Sequence, residues 1–219
     1  SDVCSSDLAL LSSLRVVDLS HTIDSATKPY PGDPVPCLET VADIKHDGCC
    51  VTRVSVATHT GTHIDAAAHV MQDGKRLGDY PLATFSGTAC VVDLRGADEP
   101  IDASVLDGID PCDWLLLCTG QSTKWGTEDY FGTEPLFTEA FVKAAAKIAR
   151  KGIGLDCAGL DREGVVLHCV WFSSGGGLMV ENLTDLEMLL SESRILFAAY
   201  PLKLAADDGA PVRAVALIG

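Results

Sequence analysis

The stretch His59-Thr60-Gly61-Thr62-His63-Ile64-Asp65-Ala66-Ala67-Ala68-His69 carries the strongest pattern in this chain of 219 residues. Three of the six histidines fall within these eleven positions, together with an aspartate. Imidazole and carboxylate groups are the ligands that zinc, manganese and iron take from proteins. His59 and His63 are four residues apart, and Asp65 follows two residues later, so the three side chains can converge on one point of an extended or bent segment. We therefore predict that His59, His63 and Asp65 bind one metal ion.

The end of this stretch predicts a catalytic group. Three alanines follow Asp65 and favour a helix that Asp65 would cap. Residues four apart lie on the same face of a helix, so His69 would reach water at the metal without being a ligand. The alternative is a set of histidines that only form hydrogen bonds at a strand-to-helix turn. Three histidines and one aspartate at this spacing favour the metal site, with His69 as the acid/base.

Charge and hydropathy narrow the classes of partner. The chain has 16 basic and 31 acidic residues, a formal charge of −15. Such a surface repels phosphate backbones and anionic lipids, so we expect neither nucleic acid nor a membrane as a partner. No uninterrupted apolar run approaches the roughly 18 residues of a membrane helix. A small molecule remains as the expected partner.

Length and cysteine use indicate one domain in a reducing compartment. We expect residues 1–12 to form a flexible N-terminal segment and residues 13–219 to form the domain. The nine cysteines include no C-x-x-C pair and are scattered through apolar stretches. This pattern is typical of buried free thiols rather than of a disulfide framework. The N-terminus also lacks the basic and apolar segments of a secretory leader. The cysteine pattern and the N-terminus together predict a cytoplasmic protein.

The periodicity predicts a mixture of strands and helices, hence an α/β or α+β fold. The clearest helix covers residues 139–151, with Thr138 as its N-cap and Gly152 as its stop. Thr184 and Glu187 have the form of a capping box, which predicts a second helix after them. The predicted strands are 15–19, 51–57, 87–94, 113–118, 153–156, 194–202 and 212–218.

The run H-T-G-T-H-x-D-x-x-x-H resembles the signature of the bacterial cyclase-like metal-dependent hydrolases, which include kynurenine formamidases (arylformamidases) and isatin hydrolases. The resemblance extends over nearly the whole chain after the N-terminal segment. Supporting matches lie at residues 17–21, 30–33, 119–120, 154–156, 180–183 and 201–203. The chain departs from the formamidases at Ala67, where they commonly have proline, and at residues 173–177, which are enriched in glycine relative to the family. Tyr30 stands where formamidases have tryptophan.

The resemblance implies a swivelling β/β/α-type domain with a mixed sheet and flanking helices, assembled as a homo-oligomer such as a dimer or tetramer. It also implies one or two divalent metals per chain, with zinc first and manganese second. Asp65 would bridge to a second ion completed by His168 and Glu181, and Tyr30 would contact the substrate. The sequence itself supports Glu181 as a metal ligand, because a carboxylate after the apolar residues 178–180 is costly to bury unless an ion compensates its charge.

The predicted activity is therefore metal-dependent cleavage of an amide by activated water, with N-formylkynurenine or a related arylformamide as the first candidate substrate. Two alternatives remain at this stage. The chain could open a cyclic amide, a lactam such as isatin. It could also be a non-catalytic, metal-stabilised interaction protein, although that role would not require His69.

Overall fold

The central strands explain why this chain has two separate apolar cores. In the computed structural model, which describes residues 14–219, every residue of the strand Cys112–Cys118 except the half-buried Asp113 is buried. Trp114 and Leu116 point into one core, and Leu115 and Leu117 point into the other. A strand buried on both faces reads as a continuous apolar run. This is the run that the sequence predicted as a strand.

Ten strands and three helices follow one another along the described chain. The strands are β1 (Arg15–Asp18), β2 (Cys37–Ala42), β3 (Val51–Ser55), β4 (His63–Asp65), β5 (Ser86–Asp93), β6 (Cys112–Cys118), β7 (Ala149–Leu155), β8 (Leu178–Glu181), β9 (Ile195–Pro201) and β10 (Gly209–Ile218). The helices are α1 (Ile44–Asp47), α2 (Glu139–Ile148) and α3 (Val166–Ser173), with short 3-10 turns between elements. The segment 1–12 lies outside the described residues.

Eight strands form one mixed sheet that closes on itself. Their order is β1-β10-β4-β8-β7-β6-β5-β9, and β9 also pairs with β10. Strands β5 to β8 run parallel, and the remaining pairs are antiparallel. The long strand β10 closes the barrel because its first residues pair with β4 and its later residues pair with β9. The α/β class and the mixed sheet with flanking helices are confirmed.

The two cores lie on opposite faces of this sheet. The inner core includes Ile64, Val180 and Phe197. The outer core lies beneath the two longer helices and includes Phe141 of α2 and Trp171 of α3. Alternation along each strand therefore decides which side chains face the barrel interior and which face the helices.

Several predicted boundaries were wrong. The N-cap of α2 is Thr138, as predicted, since its hydroxyl accepts a hydrogen bond from the Phe141 amide at 3.0 Å. The helix ends at Ile148 rather than at 151, because residues from Ala149 onward pair with β6. The expected capping-box helix is a 3-10 turn, Leu186–Leu189, without a side-chain cap.

Two features departed further from expectation. Strand β2 was not predicted, and among the described strands it is the one partner of β3. All side chains of β3 are exposed, so the two strands form a projecting ribbon. The eight cysteines in the described range are free, but Cys37, Cys49 and Cys50 are exposed rather than buried. None of the helices between residues 14 and 219 combines the length and apolar character that crossing a bilayer requires.

Candidate metal centre

Strand register places three polar side chains on one buried face of the sheet. In the antiparallel pairing of β4 with β8, His63 lies opposite Glu181 and Asp65 lies opposite Met179. Directly paired residues point to the same face, and Ile64 points the other way, into the inner core. His63, Asp65 and Glu181 therefore face the helix side of the sheet, and all three are buried.

Asp65 does not begin a helix. It is the last residue of β4 and pairs with β8 and with Gly209 of β10. The turn that follows is a single 3-10 turn, Ala67–His69, capped by the Ala66 backbone without a side-chain hydrogen bond. The prediction that a helix after Asp65 positions His69 was therefore wrong. The His69 side chain nevertheless lies beside His59.

His59 reaches the same face from the turn that precedes β4. Gly61 in this turn has φ +66°, a left-handed conformation that glycine adopts without strain. Its carbonyl oxygen lies 2.8 Å from Nδ1 of His63, so this nitrogen donates to it and Nε2 points away. His59 is thereby brought to Asp65, with Nδ1 of His59 at 2.8 Å from Oδ1 of Asp65.

The first turn of α3 supplies a fifth side chain, that of His168. Nε2 of His168 lies 2.9 Å from Oε1 of Glu181, whose Oε2 lies 3.3 Å from Nε2 of His63. Gly159 packs against this pair: a Cβ there would lie 2.8 Å from the Glu181 carboxylate and 3.0 Å from the His168 ring. We call the five residues of this group the inner cluster: His59, His63, Asp65, His168 and Glu181.

The inner cluster has the chemistry of a metal centre. Nε2 of His63 and both carboxylate oxygens of Asp65 are buried and have no hydrogen-bond partner among residues 14–219, although ring nitrogens lie 2.8 and 3.3 Å from Oδ1. Unpaired buried polar atoms are costly, so a ligand that binds all of them would remove the cost. Two overlapping triads have ligand atoms within 4.8 Å of one another, and Asp65 belongs to both. The donor set of imidazole and carboxylate fits zinc or manganese.

The electrostatics of the cluster also favour a cation. Burial alone would lower the pKa of His59, but the Asp65 carboxylate, 2.8 Å from its Nδ1, raises it to about 9. Burial is likewise outweighed at His168, where Asp161 and Glu181 raise the pKa to about 10. Burial would raise the pKa of Asp65, and the neighbouring imidazoles hold it below its usual value. Two buried carboxylates in their ionised form attract positive charge at this point.

His69 differs from the inner cluster in its environment. Burial lowers the pKa of this imidazole, which keeps the ring neutral and able to accept a proton near pH 7. The ring lies 4.0 Å from that of His59 between centroids and lines a cavity of about 310 Å³. A cavity of this size is at the lower end of those that bind small molecules.

Aromatic side chains form the outer wall of the same cavity. Tyr30, Trp125 and Phe131 line it together with His69. Tyr30 contacts Phe131 edge to face, with centroids 5.5 Å apart, and remains partly exposed. The Tyr30 loop is further linked to the Phe131 loop by the ion pair of Lys28 with Glu128. Six of the seven predicted site residues line this cavity, and the seventh, Asp65, is buried beside His59 and His63.

Sequence reasoning missed three polar residues around the cluster. Asp161 is hydrogen-bonded to His168, and Asp208 to His59. Asn182 donates to the carbonyl oxygen of Gly61 and accepts from Tyr130, which holds the turn before β4. The local signals were weak, because Asp161 is one of two acidic residues before α3 and Asp208 lies in a turn that resembles an ordinary Asp-Gly connection.

The sequence matches both a protein-family model and individual known proteins. A family model described as "Putative cyclase" matches residues 17–162. The chain is 29% identical over 211 residues to a kynurenine formamidase of Salinibacter ruber, covering 92% of this chain and 97% of that protein.

Solved structures show the same fold. A protein described as a predicted metal-dependent hydrolase from Bacillus stearothermophilus is 27% identical with a TM-score of 0.75, covering 94% of this chain and 98% of that chain. An isatin hydrolase bound to the product analogue thioisatinate superposes with a TM-score of 0.82 at 19% identity, covering 100% of this chain and 98% of that chain. The isatin hydrolase likeness is one of fold alone.

Proposed function

The chain belongs to the cyclase family, and from this membership and the geometry of the inner cluster we propose that it is a metal-dependent hydrolase that cleaves an arylformamide of the N-formylkynurenine type. The observation that carries the proposal is the set of buried, unpaired ligand atoms on His63 and Asp65. A non-catalytic protein could also bind a metal there. It would have no need for a neutral imidazole beside the ion on the wall of a cavity.

We assign His59, His63 and Asp65 to a first ion, and Asp65, His168 and Glu181 to a second, with zinc before manganese. The two triads share Asp65, and a carboxylate with two oxygens can serve both. A divalent ion supplies Lewis acidity, which polarises a carbonyl and lowers the pKa of water from about 15.7 towards about 7.

His69 is the proposed acid/base. Its ring is neutral, lines the cavity and is the predicted site histidine outside the inner cluster. The imidazole would accept the proton released by the attacking water and return it to the leaving nitrogen, which an imidazole near neutrality can do in both directions.

The aromatic wall accounts for the substrate class within the family. Trp125, Phe131 and Tyr30 line the same cavity as His69. A planar aryl group against these side chains would gain aromatic contact and would hold its formamide group towards the inner cluster. Tyr30 takes the place of the tryptophan that formamidases have, so it is assigned to substrate binding.

We further propose that the domain, residues 13–219, forms a homo-oligomer through its projecting ribbon. Strands β2 and β3 form a two-stranded sheet of their own, and an isolated hairpin of this kind is marginally stable. Burial of the exposed apolar side chains of the ribbon against a second copy of the chain would stabilise the ribbon. The exposed apolar residues of the ribbon are Leu38, Val41, Ile44, Val51 and Val54.

The activity is tested by metal analysis of the purified protein together with a small substrate panel. We expect one or two zinc or manganese ions per chain, faster turnover of N-formylkynurenine than of isatin, loss of turnover after chelation and recovery when metal is restored. Faster turnover of isatin would reassign the chain to lactam opening. Bound metal with no turnover of any amide or lactam would leave a metal-stabilised binding protein.

A further inference from the structure

A second group of ligand atoms lies on the other side of His59. Nδ1 of His59 faces Asp65 of the inner cluster, whereas Nε2 lies 3.1 Å from Oδ2 of Asp208. The ring of His69 lies beside it, and the donor atoms of His59, His69 and Asp208 are within 4.8 Å of one another. We call these three residues the outer cluster.

We propose that the outer cluster binds an additional transition-metal ion, such as zinc, and that this ion inhibits the enzyme. Two imidazoles and one carboxylate form a common zinc ligand set, and separations below 4.8 Å are compatible with three bonds of about 2.0 to 2.2 Å to one ion. Magnesium and calcium prefer oxygen ligands and would bind poorly to two imidazoles. The ligand types of the outer cluster therefore favour zinc over magnesium and calcium.

Inhibition follows from the identity of one ligand. In the proposed function, His69 accepts and returns a proton. An ion bound to its ring nitrogen occupies the lone pair that accepts that proton, so the two roles exclude each other. This part of the inference rests on the proposed function, whereas binding of the ion does not.

The outer cluster should bind its ion more weakly than the inner cluster does. Its three residues are only partly buried and include one carboxylate, whereas the inner cluster has two buried carboxylates. Asp208 is also engaged by the Thr58 hydroxyl at 2.5 Å and by His59, so an ion must displace existing hydrogen bonds. Because Nδ1 of His59 belongs to the inner cluster, its Nε2 must also release its proton to solvent before the ring can bind the extra ion as an imidazolate. Zinc therefore fills the inner cluster first and inhibits only in excess.

The test compares Asp208→Asn with Asp207→Asn. Asp207 is adjacent, exposed and paired with Arg76 rather than with a histidine, so it is a matched control. Equilibrium dialysis against zinc should show one extra, weaker ion per chain in the wild type and in Asp207→Asn, but not in Asp208→Asn. The zinc concentration for half inhibition, measured relative to the activity of each variant, should rise about tenfold or more in Asp208→Asn only. Magnesium at the same concentrations should not inhibit.

A second variant controls for an effect of Asp208→Asn on His59, to which Asp208 is hydrogen-bonded. His69→Ala should also lose the extra ion in dialysis while it keeps the inner ions. Retention of the extra ion in either variant, or its absence from the wild type, overturns the site. Half inhibition at the same zinc concentration in the wild type and Asp208→Asn overturns the inhibitory role. If no substrate is turned over but the extra ion depends on Asp208 and His69, the proposed function fails and the site stands.

Discussion

Oδ2 of Asp161 lies 2.6 Å from Nδ1 of His168, and both side chains are buried. The same carboxylate accepts the backbone N–H groups of Leu167 and His168 at the start of α3. Asp161 thus fixes both the beginning of the helix and the orientation of the ring. The opposite nitrogen, Nε2, is thereby directed to Glu181. A carboxylate behind a metal-binding histidine sets its tautomer and raises its basicity.

Asp161→Asn is expected to weaken metal binding by about 10- to 100-fold, the usual effect of losing such a partner. The amide keeps the shape of the side chain but removes the negative charge from Nδ1 of His168. Metal affinity measured by competition with a chelator checks this expectation. Glu163→Gln, two residues away and exposed, is the control. Equal affinity in the wild type and Asp161→Asn would mean that Asp161 only anchors the helix.

Glu181→Gln should reduce the metal content from two ions towards one and slow turnover sharply. The carboxylate is within reach of both His63 and His168, so its charge serves the second triad most directly. Metal per chain is measured by elemental analysis after dialysis. A wild type that has full activity with a single tightly bound ion would show that there is no second ion.

His69→Ala should leave the metal content of the inner cluster nearly intact and lower kcat by about 10²- to 10⁴-fold, the usual contribution of a positioned acid/base. His63→Ala is the comparison, because its unpaired Nε2 lies within the inner cluster and its loss should remove metal. Metal loss in His69→Ala as large as in His63→Ala would make His69 a ligand. An unchanged rate would exclude it from the mechanism.

Glu134→Gln should stabilise the fold near neutral pH by roughly 1 kcal/mol, because a neutral amide of the same shape costs less to bury than an ionised carboxylate. Both carboxylate oxygens of Glu134 are buried, neither has a hydrogen-bond partner within the described range 14–219, and burial raises the pKa of this carboxyl. Because the folded protein holds this proton more tightly than the unfolded chain does, the wild type loses stability as the pH rises above about 4.3, the ordinary value of glutamate.

The advantage of Glu134→Gln should therefore shrink as the pH falls towards 4, where both states of the wild type carry the proton. Urea unfolding of the wild type, of Glu134→Gln and of the exposed control Glu163→Gln at several pH values measures this dependence. A variant that is less stable than the wild type at pH 7 would show that the Glu134 charge is compensated in solution.

Val54→Asp should shift the assembly towards monomers. Val54 is exposed on the ribbon and pairs with Leu38, so a carboxylate there would be buried against the second copy at a high cost. Val16→Asp is the control, since Val16 is equally exposed but lies on β1. Light scattering after size-exclusion chromatography gives the mass. A wild type that stays monomeric at every concentration would contradict assembly through the ribbon.

The sequence determined the local part of this site. His63 and Asp65 are two residues apart on a strand, so they share a face whatever surrounds them, and the turn of Gly61 adds His59. The continuous apolar run of β6 and the Thr138 cap of α2 were also readable, because they depend on neighbours in the chain. The end of α2 was not, since pairing of β7 with β6 outweighs the helical preference of residues 149–151.

Tertiary structure decided how the distant residues reach the cluster and which carboxylates stand behind its histidines. Glu181 stands opposite His63 through the pairing of β8 with β4, and Asp208 reaches His59 across 149 residues because β10 begins beside Asp65. Hydrogen bonds between strands that are distant in the chain set these registers, and no local pattern encodes them. The residue types and their short spacing thus specified the chemistry, whereas the closed sheet specified which carboxylates stand behind each histidine.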